Sequence, residues 1–127
     1  MNILRPTDIE EEIRLALKDT FTVYVRPLPK NFSVPSLLIT STGGTTANTV
    51  DTFTVTIDAR AETDAEADEL IRNAIGALEY QAGQQVGALR FVELNALANW
   101  RIDPVRPDLK MRTATARVVA HREEYTL

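Results

Sequence analysis

The chain contains no cysteine, one histidine, one tryptophan and five glycines in 127 residues. The missing cysteine excludes a disulfide scaffold, a thiolate metal site and a cysteine nucleophile. No stretch approaches the eighteen or more apolar residues of a membrane helix. Residues 1–12 are polar and acidic, so they do not read as a signal peptide, and the chain is expected to be soluble and intracellular when made. An excess of positive charge is missing too. Fourteen Lys and Arg against eighteen Asp and Glu leave a net charge of −4, the sign opposite to that of dedicated nucleic-acid binders. What is present is ordinary globular material, 44% hydrophobic and 25% charged. The length suits a single domain spanning residues 1–127.

Hydrophobic periodicity divides the chain into seven elements. Ile9, Ile13, Ala16 and Leu17 form one stripe of a helix over residues 8–18, with Thr7 and Glu10 at capping-box spacing. Glu10, Glu11 and Glu12 at its start and Lys18 at its end suit the helix dipole. Phe21, Val23 and Val25 alternate with polar neighbours as a short strand. Pro27 and Pro29 mark a loop, and Pro35 confines a strand over residues 34–40 to an edge or an irregular start. Residues 41–49, STGGTTANT, carry nothing large and apolar and read as a flexible loop. Phe53, Val55, Ile57 and Ala59 then alternate with Thr52, Thr54, Thr56 and Asp58, a strand with one apolar and one threonine face. A second helix spans residues 64–81, with Thr63 and Glu66 as a capping box and Ala67, Leu70, Ile71, Ala74 and Leu78 as its buried stripe. Two long strands close the chain. Val92, Leu94, Ala96, Ala98, Trp100 and Ile102 share one parity, Ala114, Ala116, Val118 and Ala120 share another, and the turn DPVRPD lies between them.

The order α-β-β-β-α-β-β with short connections predicts an α+β two-layer sandwich. Its sheet is mostly antiparallel, both helices pack on one face, and a long C-terminal hairpin completes it. Fully extended, the fourteen residues 89–102 span roughly 46 Å, against a body roughly 36 Å across. Unless twist and a bulge fold the hairpin over its own helices, its tip is therefore expected to project, with Trp100 and Ile102 covered by a neighbouring subunit. Residues 1–100 carry a net charge of −6 and residues 101–127 a net charge of +2. Arg101, Arg106, Lys110 and Arg112 gather near the turn, an arrangement that suits head-to-tail packing of identical copies.

The candidate chemistry is sparse. Gly43 and Gly44 lack the Gly-Lys-Ser/Thr ending and the following helix of a phosphate loop, and read as part of a contact loop. Asp58, Glu62, Asp64, Glu66, Asp68 and Glu69 form an acidic stretch without histidine, a solvated face around a helix start. His121 stands alone as a surface strand residue with no triad partners. Trp100 reads as core or interface rather than as a ligand platform. These patterns point to no catalytic residue, metal site or cofactor, and to a protein that is not an enzyme.

The layout resembles the tail terminator proteins of long-tailed bacteriophages, lambda-terminator-like minor tail or tail-completion proteins. The resemblance rests on the helix with Ile9, Ile13 and Leu17, the strand Phe21-Thr-Val-Tyr-Val25, the strand Thr52-Phe-Thr-Val-Thr-Ile57 and the helix over residues 65–80. It extends to the hairpin with Trp100-Arg-Ile-Asp-Pro104 and Arg117-Val-Val-Ala-His-Arg122. It implies a virion protein at the tail-neck junction, assembled in the host cytoplasm as a homo-oligomer, a hexameric ring. The ring would cap the tail tube protein, stop its polymerisation, and offer a joining surface to the head-side neck or connector proteins. DNA would pass through the channel without specific binding, a role that a net-acidic chain suits. The expected subunit and partner contacts are Thr42, Gly43, Gly44, Thr45 and Thr46 in the loop, and Trp100, Arg101, Ile102, Arg106 and Arg112 in the arm. Other readings are a head-completion (stopper) protein of the neck, an adaptor binding by strand addition along residues 34–40, and a small enzyme, which would need a pocket with convergent polar groups.

Overall fold

The computed structural model describes residues 1–47 and 50–127. The element order is β1 (Asn2–Arg5), α1 (Ile9–Leu17), β2 (Val23–Val25), β3 (Ser36–Ala47), β4 (Val50–Ala61), α2 (Asp64–Gly83), β5 (Leu89–Ile102), β6 (Lys110–His121) and β7 (Glu123–Thr126). Strands β2 to β6 form one sheet in the order β2-β3-β4-β6-β5. Both helices lie on one face of it, giving the α+β sandwich that the periodicity predicts. No helix of the described residues is long and apolar enough to cross a membrane.

The core is the interleaving of three apolar stripes. Ile9, Ile13 and Leu17 of α1 and Ala67, Ile71, Ala74, Leu78 and Ala82 of α2 are buried. They meet Leu37, Ile39, Val55, Ile57, Ala59, Ala114, Val118 and Ala120 of the sheet. Alanine at three of these β6 and β4 positions lets α2 approach closely, and Ile71 and Leu78 fill the space between. Thr63 caps α2 as its spacing predicts: the Glu66 N–H donates to Thr63 Oγ1 (3.2 Å), while the Glu66 carboxylate accepts from the Thr63 hydroxyl (3.0 Å) rather than from the backbone N–H that would complete a capping box.

Several expectations are corrected. The cap of α1 is Asp8, which accepts from the Glu11 N–H at 3.3 Å, so Thr7 and Glu10 do not form a capping box. Glu10 instead turns to the sheet and accepts from the Ser41 N–H (2.9 Å) and from Arg26 (2.6 Å). The segment read as a loop is strand from Ser41 to Ala47, because β3 pairs with β4 as far as Ala47↔Val50; Asn48 and Thr49 lie outside the described residues. The sheet is mostly antiparallel, as expected, with one parallel pair among its described strands: β2 with β3, through Val23↔Leu37 to Val25↔Ile39. Pro35 stands before β3, which begins at Ser36, and this end of β3 is internal rather than an edge.

The termini form an element that periodicity did not reveal. Strands β1 and β7 pair antiparallel, from Asn2↔Thr126 to Arg5↔Glu123, as a separate two-stranded ribbon. Arg5 stacks on the Tyr125 ring at 3.6 Å and bonds Glu123 at 2.9 Å. Four-residue strands are too short for alternation to stand out against chance.

The C-terminal hairpin does not project. Strand β5 carries three register irregularities, and its fourteen residues face eleven of β6, from Leu89↔Ala120 to Ile102↔Lys110. Each bulge takes up a residue without lengthening the ladder. Lys110 lies level with Ala61, the last residue of β4. Beyond it the turn is tied down. Asp103, 1% exposed, pairs with the buried Arg60 at 2.7 Å, and Arg112 grips Asp64 at the start of α2 with bonds of 3.1 and 2.7 Å. The bulges also break the expected parity, for Ala96 pairs with Thr115 on the helix-free face.

Shortening a buried α2 residue should be costly. Ile71→Ala is expected to lower the unfolding free energy by about 2–5 kcal/mol, read from urea titrations. Tyr80→Ala, at a position of the same helix 65% exposed, should change it by less than about 0.5 kcal/mol.

Candidate interaction site

The ten candidate contact residues separate onto three parts of the fold. Thr42 to Thr46 lie on the far half of β3. Trp100, Arg101 and Ile102 lie at the end of β5, the opposite edge of the sheet. Arg106 and Arg112 belong to the turn and to β6.

On β3, Thr42 occupies a bulge between Ser41 and Gly43, and its hydroxyl donates to the Thr54 carbonyl at 3.3 Å. Gly43 follows with φ +121°, a conformation that suits glycine, and nothing stands within 4 Å of where its Cβ would be. Gly44 is held for another reason: a Cβ there would lie 2.0 Å from the Thr52 carbonyl oxygen. Thr45 faces Thr52 and is exposed, while Thr46 faces Asp51 and its hydroxyl accepts from Arg122 at 3.0 Å. Arg122 also bonds the buried Asp51 at 3.1 and 3.2 Å. These hydrogen bonds from Arg122 and Thr46, with the Arg122 charge, hold the Asp51 carboxyl below its usual range against the opposing effect of burial. Pro6, Gly43, Gly44, Phe53 and Arg122 line a recess of about 360 Å³ beside this arm.

On β5 the exposed apolar surface is larger than expected. Trp100 is 52% exposed and Ile102 63%, and Phe91 at 55% and Leu97 at 78% join them on the same strand. Phe91 and Leu97 were missed, although apolar residues at the polar parity of a strand are a legible signal of a second contact surface. Val105 in the turn is exposed as well. Arg101 borders a polar recess on the helix-free face with Asp58, Met111 and Thr113.

The basic gathering at the turn is partly neutralised from within. Arg106 holds Asp108 with bonds of 3.0 and 2.8 Å, and Arg112 holds Asp64. The acidic stretch is likewise engaged: Asp68 pairs with Arg72, Glu66 accepts from the Thr63 hydroxyl, and Asp58 accepts from Thr113 at 2.7 Å. His121 is an exposed residue at the end of β6, opposite Val50.

The Arg60–Asp103 pair was not anticipated. Its members are 43 residues apart, and nothing local in DPVRPD names a partner. Burial opposes ionisation of Asp103. The Arg60 hydrogen bond, the Val105 N–H at 2.9 Å and the Arg60 charge overcome it and hold the carboxyl below its ordinary 3.8. The Arg60 guanidinium lies over the Phe32 ring, 5.7 Å from its centroid. No family model matches this chain, and no curated protein matches it.

Breaking the pair leaves Arg60 buried without its counter-charge. Asp103→Ala is therefore expected to cost about 3–5 kcal/mol, measured by urea unfolding. Because the folded pKa of Asp103 is depressed, its contribution is complete above 3.8 and is lost as pH falls through the lower folded value. Wild-type stability should decline below about pH 4, and the decline should be shallower in Asp103→Asn. Separately, Gly44→Val should force β3 away from Thr52 and lower the melting temperature by several degrees, whereas Thr45→Val should not.

Proposed function

We propose that this protein is a structural ring subunit of a phage tail, a tail terminator that caps the tube and stops its growth without covalent chemistry. The reading comes from the resemblance of the chain's layout to that family. The observation that best supports it is the exposed apolar surface along the β5 edge, Phe91 on the helix-free face and Trp100 and Ile102 on the helix-bearing face, with Leu97 between them in sequence. A long edge strand carrying such residues is an aggregation hazard unless another chain covers it. Threonine hydroxyls line the recesses beside the candidate residues, with the Asp51–Arg122 pair in one and Arg101 and Asp58, bonded to Thr113, in the other, rather than an acid, a base and a nucleophile in mutual reach.

In this reading, identical copies associate head to tail and close into a ring, with six subunits as in the family it resembles. One face of the ring matches the tube end. The other face does not repeat the tube's surface, so no further tube subunit can add, and the head-side neck proteins dock there. Net acidity and internally paired arginines keep the channel from gripping the DNA that passes through it.

Negative-stain imaging of the purified protein, alone and mixed with tail tubes, tests the proposal. Rings in the free protein and a ring density at one end of each tube are expected. Trp100→Asp should shift the free protein towards smaller species on a sizing column while leaving its circular dichroism unchanged. Monomers at high concentration together with bare tube ends would refute the reading.

A further inference from the structure

We infer that the ring closes by strand addition, with the outer edge of β5 in one copy pairing antiparallel with residues 43–47 of β3 in the next. The inference rests on the ring reading and adds to it the surfaces, the strand polarity and the register. The sheet order β2-β3-β4-β6-β5 leaves β5 at one margin and β3 at the other wherever β2 does not cover it. Strand β3 is antiparallel to β4, β4 to β6 and β6 to β5. Alternation through these strands makes β5 run opposite to β3. A second copy placed beside the first in the same orientation therefore brings its β3 against β5 in the antiparallel sense, without inversion. Such a contact joins two different surfaces and repeats around a closed ring.

The two margins also match in height. The β3 margin is occupied at one end, where β2 covers Leu37 to Ile39. Side chains close the next step, since Glu10 accepts from the Ser41 N–H and Arg26 donates to the Ser41 carbonyl. From Gly43 to Ala47 no described strand covers it. Through the ladders, Gly43 lies level with Thr54, Arg117 and Glu93, and Thr45 lies level with Thr52, Val119 and Phe91. Opposite this stretch β5 is regular from Phe91 to Leu94, with one irregularity, between Leu89 and Phe91, at the height of Thr46. Its other two, between Leu94 and Asn99, fall at the heights where Ser41 and β2 close the lane. A strand that must pair with β3 and then clear β2 of the neighbour needs such bends at that height.

The side chains agree with this docking. Phe91 and Thr45 belong to the helix-free face, as does Gly43, with open space where its side chain would be. An aromatic ring beside a glycine on the adjoining strand covers backbone that would otherwise meet water. Phe91 is the exposed apolar side chain at the paired height; Trp100 and Ile102 share the helix-bearing face with Ala59 and Ala61 and lie at the end where β2 occupies the neighbour's margin.

Because the chain has no cysteine, disulfide trapping gives a clean test. Within one chain, positions 45 and 91 are separated by three strand spacings, roughly 14 Å, too far for a disulfide. Thr45→Cys combined with Phe91→Cys, and Thr45→Cys combined with Glu93→Cys one register step away, are oxidised and run on denaturing gels. Thr45→Cys with Asn99→Cys serves as the off-register control. The variants are first checked by circular dichroism and by their size before oxidation. A ladder of covalent oligomers ending at the ring number in at least one in-register pair, and its absence in the control, is the expected result. Rings of unchanged size without a ladder would overturn the strand pairing and leave the ring reading intact. Monomers that neither assemble nor cross-link would overturn both.

Discussion

Strand β4 is the member on which the other elements are measured. It pairs along its whole length with β6, from Val50↔His121 to Ala61↔Lys110, and with β3 from Ala47 to Ser36. A strand held on both sides cannot slip without turning its apolar residues to the other face. Val55, Ile57 and Ala59 would then leave the core beneath the helices. The register of the whole sheet follows from that penalty. So do the heights at which β2 ends, the bulges of β5 begin and the glycine arm of β3 emerges.

Charged groups finish the corners that apolar packing does not reach. At one end of β4, Arg60 takes Asp103 and fastens the β5–β6 turn; at the other, Asp51 takes Arg122 where β6 leads into the terminal ribbon. Glu10 leaves α1 to satisfy the backbone of Ser41 and binds Arg26 beyond β2. Of these, Arg60–Asp103 is buried in both partners; such a pair contributes little net stability compared with an apolar replacement, but removing one partner strands the other. The effect of these contacts is geometric: each fixes a loop or a strand end to a particular place on the sheet. With the turn and α1 held in this way, the two sheet margins remain the long surfaces on which further strands can be added.

Most of the layered fold was legible in the sequence. The stripes Ile9-Ile13-Leu17 and Ala67-Ile71-Ala74-Leu78, and the alternation around Val55 and Ile57, follow from periods that a helix or a strand imposes on its own residues. Residues 41–47 escaped because glycine and threonine carry no apolar alternation; their strand state comes from pairing with β4. The terminal ribbon escaped because each of its strands is four residues long and its partner lies at the other end of the chain. The candidate contacts on β3 and β5 were legible as residue types, Thr42 to Thr46 by their small size and Trp100 and Ile102 by their bulk. Their places on opposite margins were not.

The sequence alone determined which residues of the two helices and of β4 face the core, where both helices run, and that no thiol chemistry is available. Those properties depend on neighbours a few positions away. Tertiary structure decided that the hairpin lies flush with β4, that Asp103 belongs to Arg60, that the termini meet, and that a glycine arm and an apolar edge stand at matching heights on opposite sides of the sheet. Bulges, long-range ion pairs and strand order depend on which distant segments come together, and the free energy of that choice is spread over the whole packed sheet rather than carried by any local run of residues.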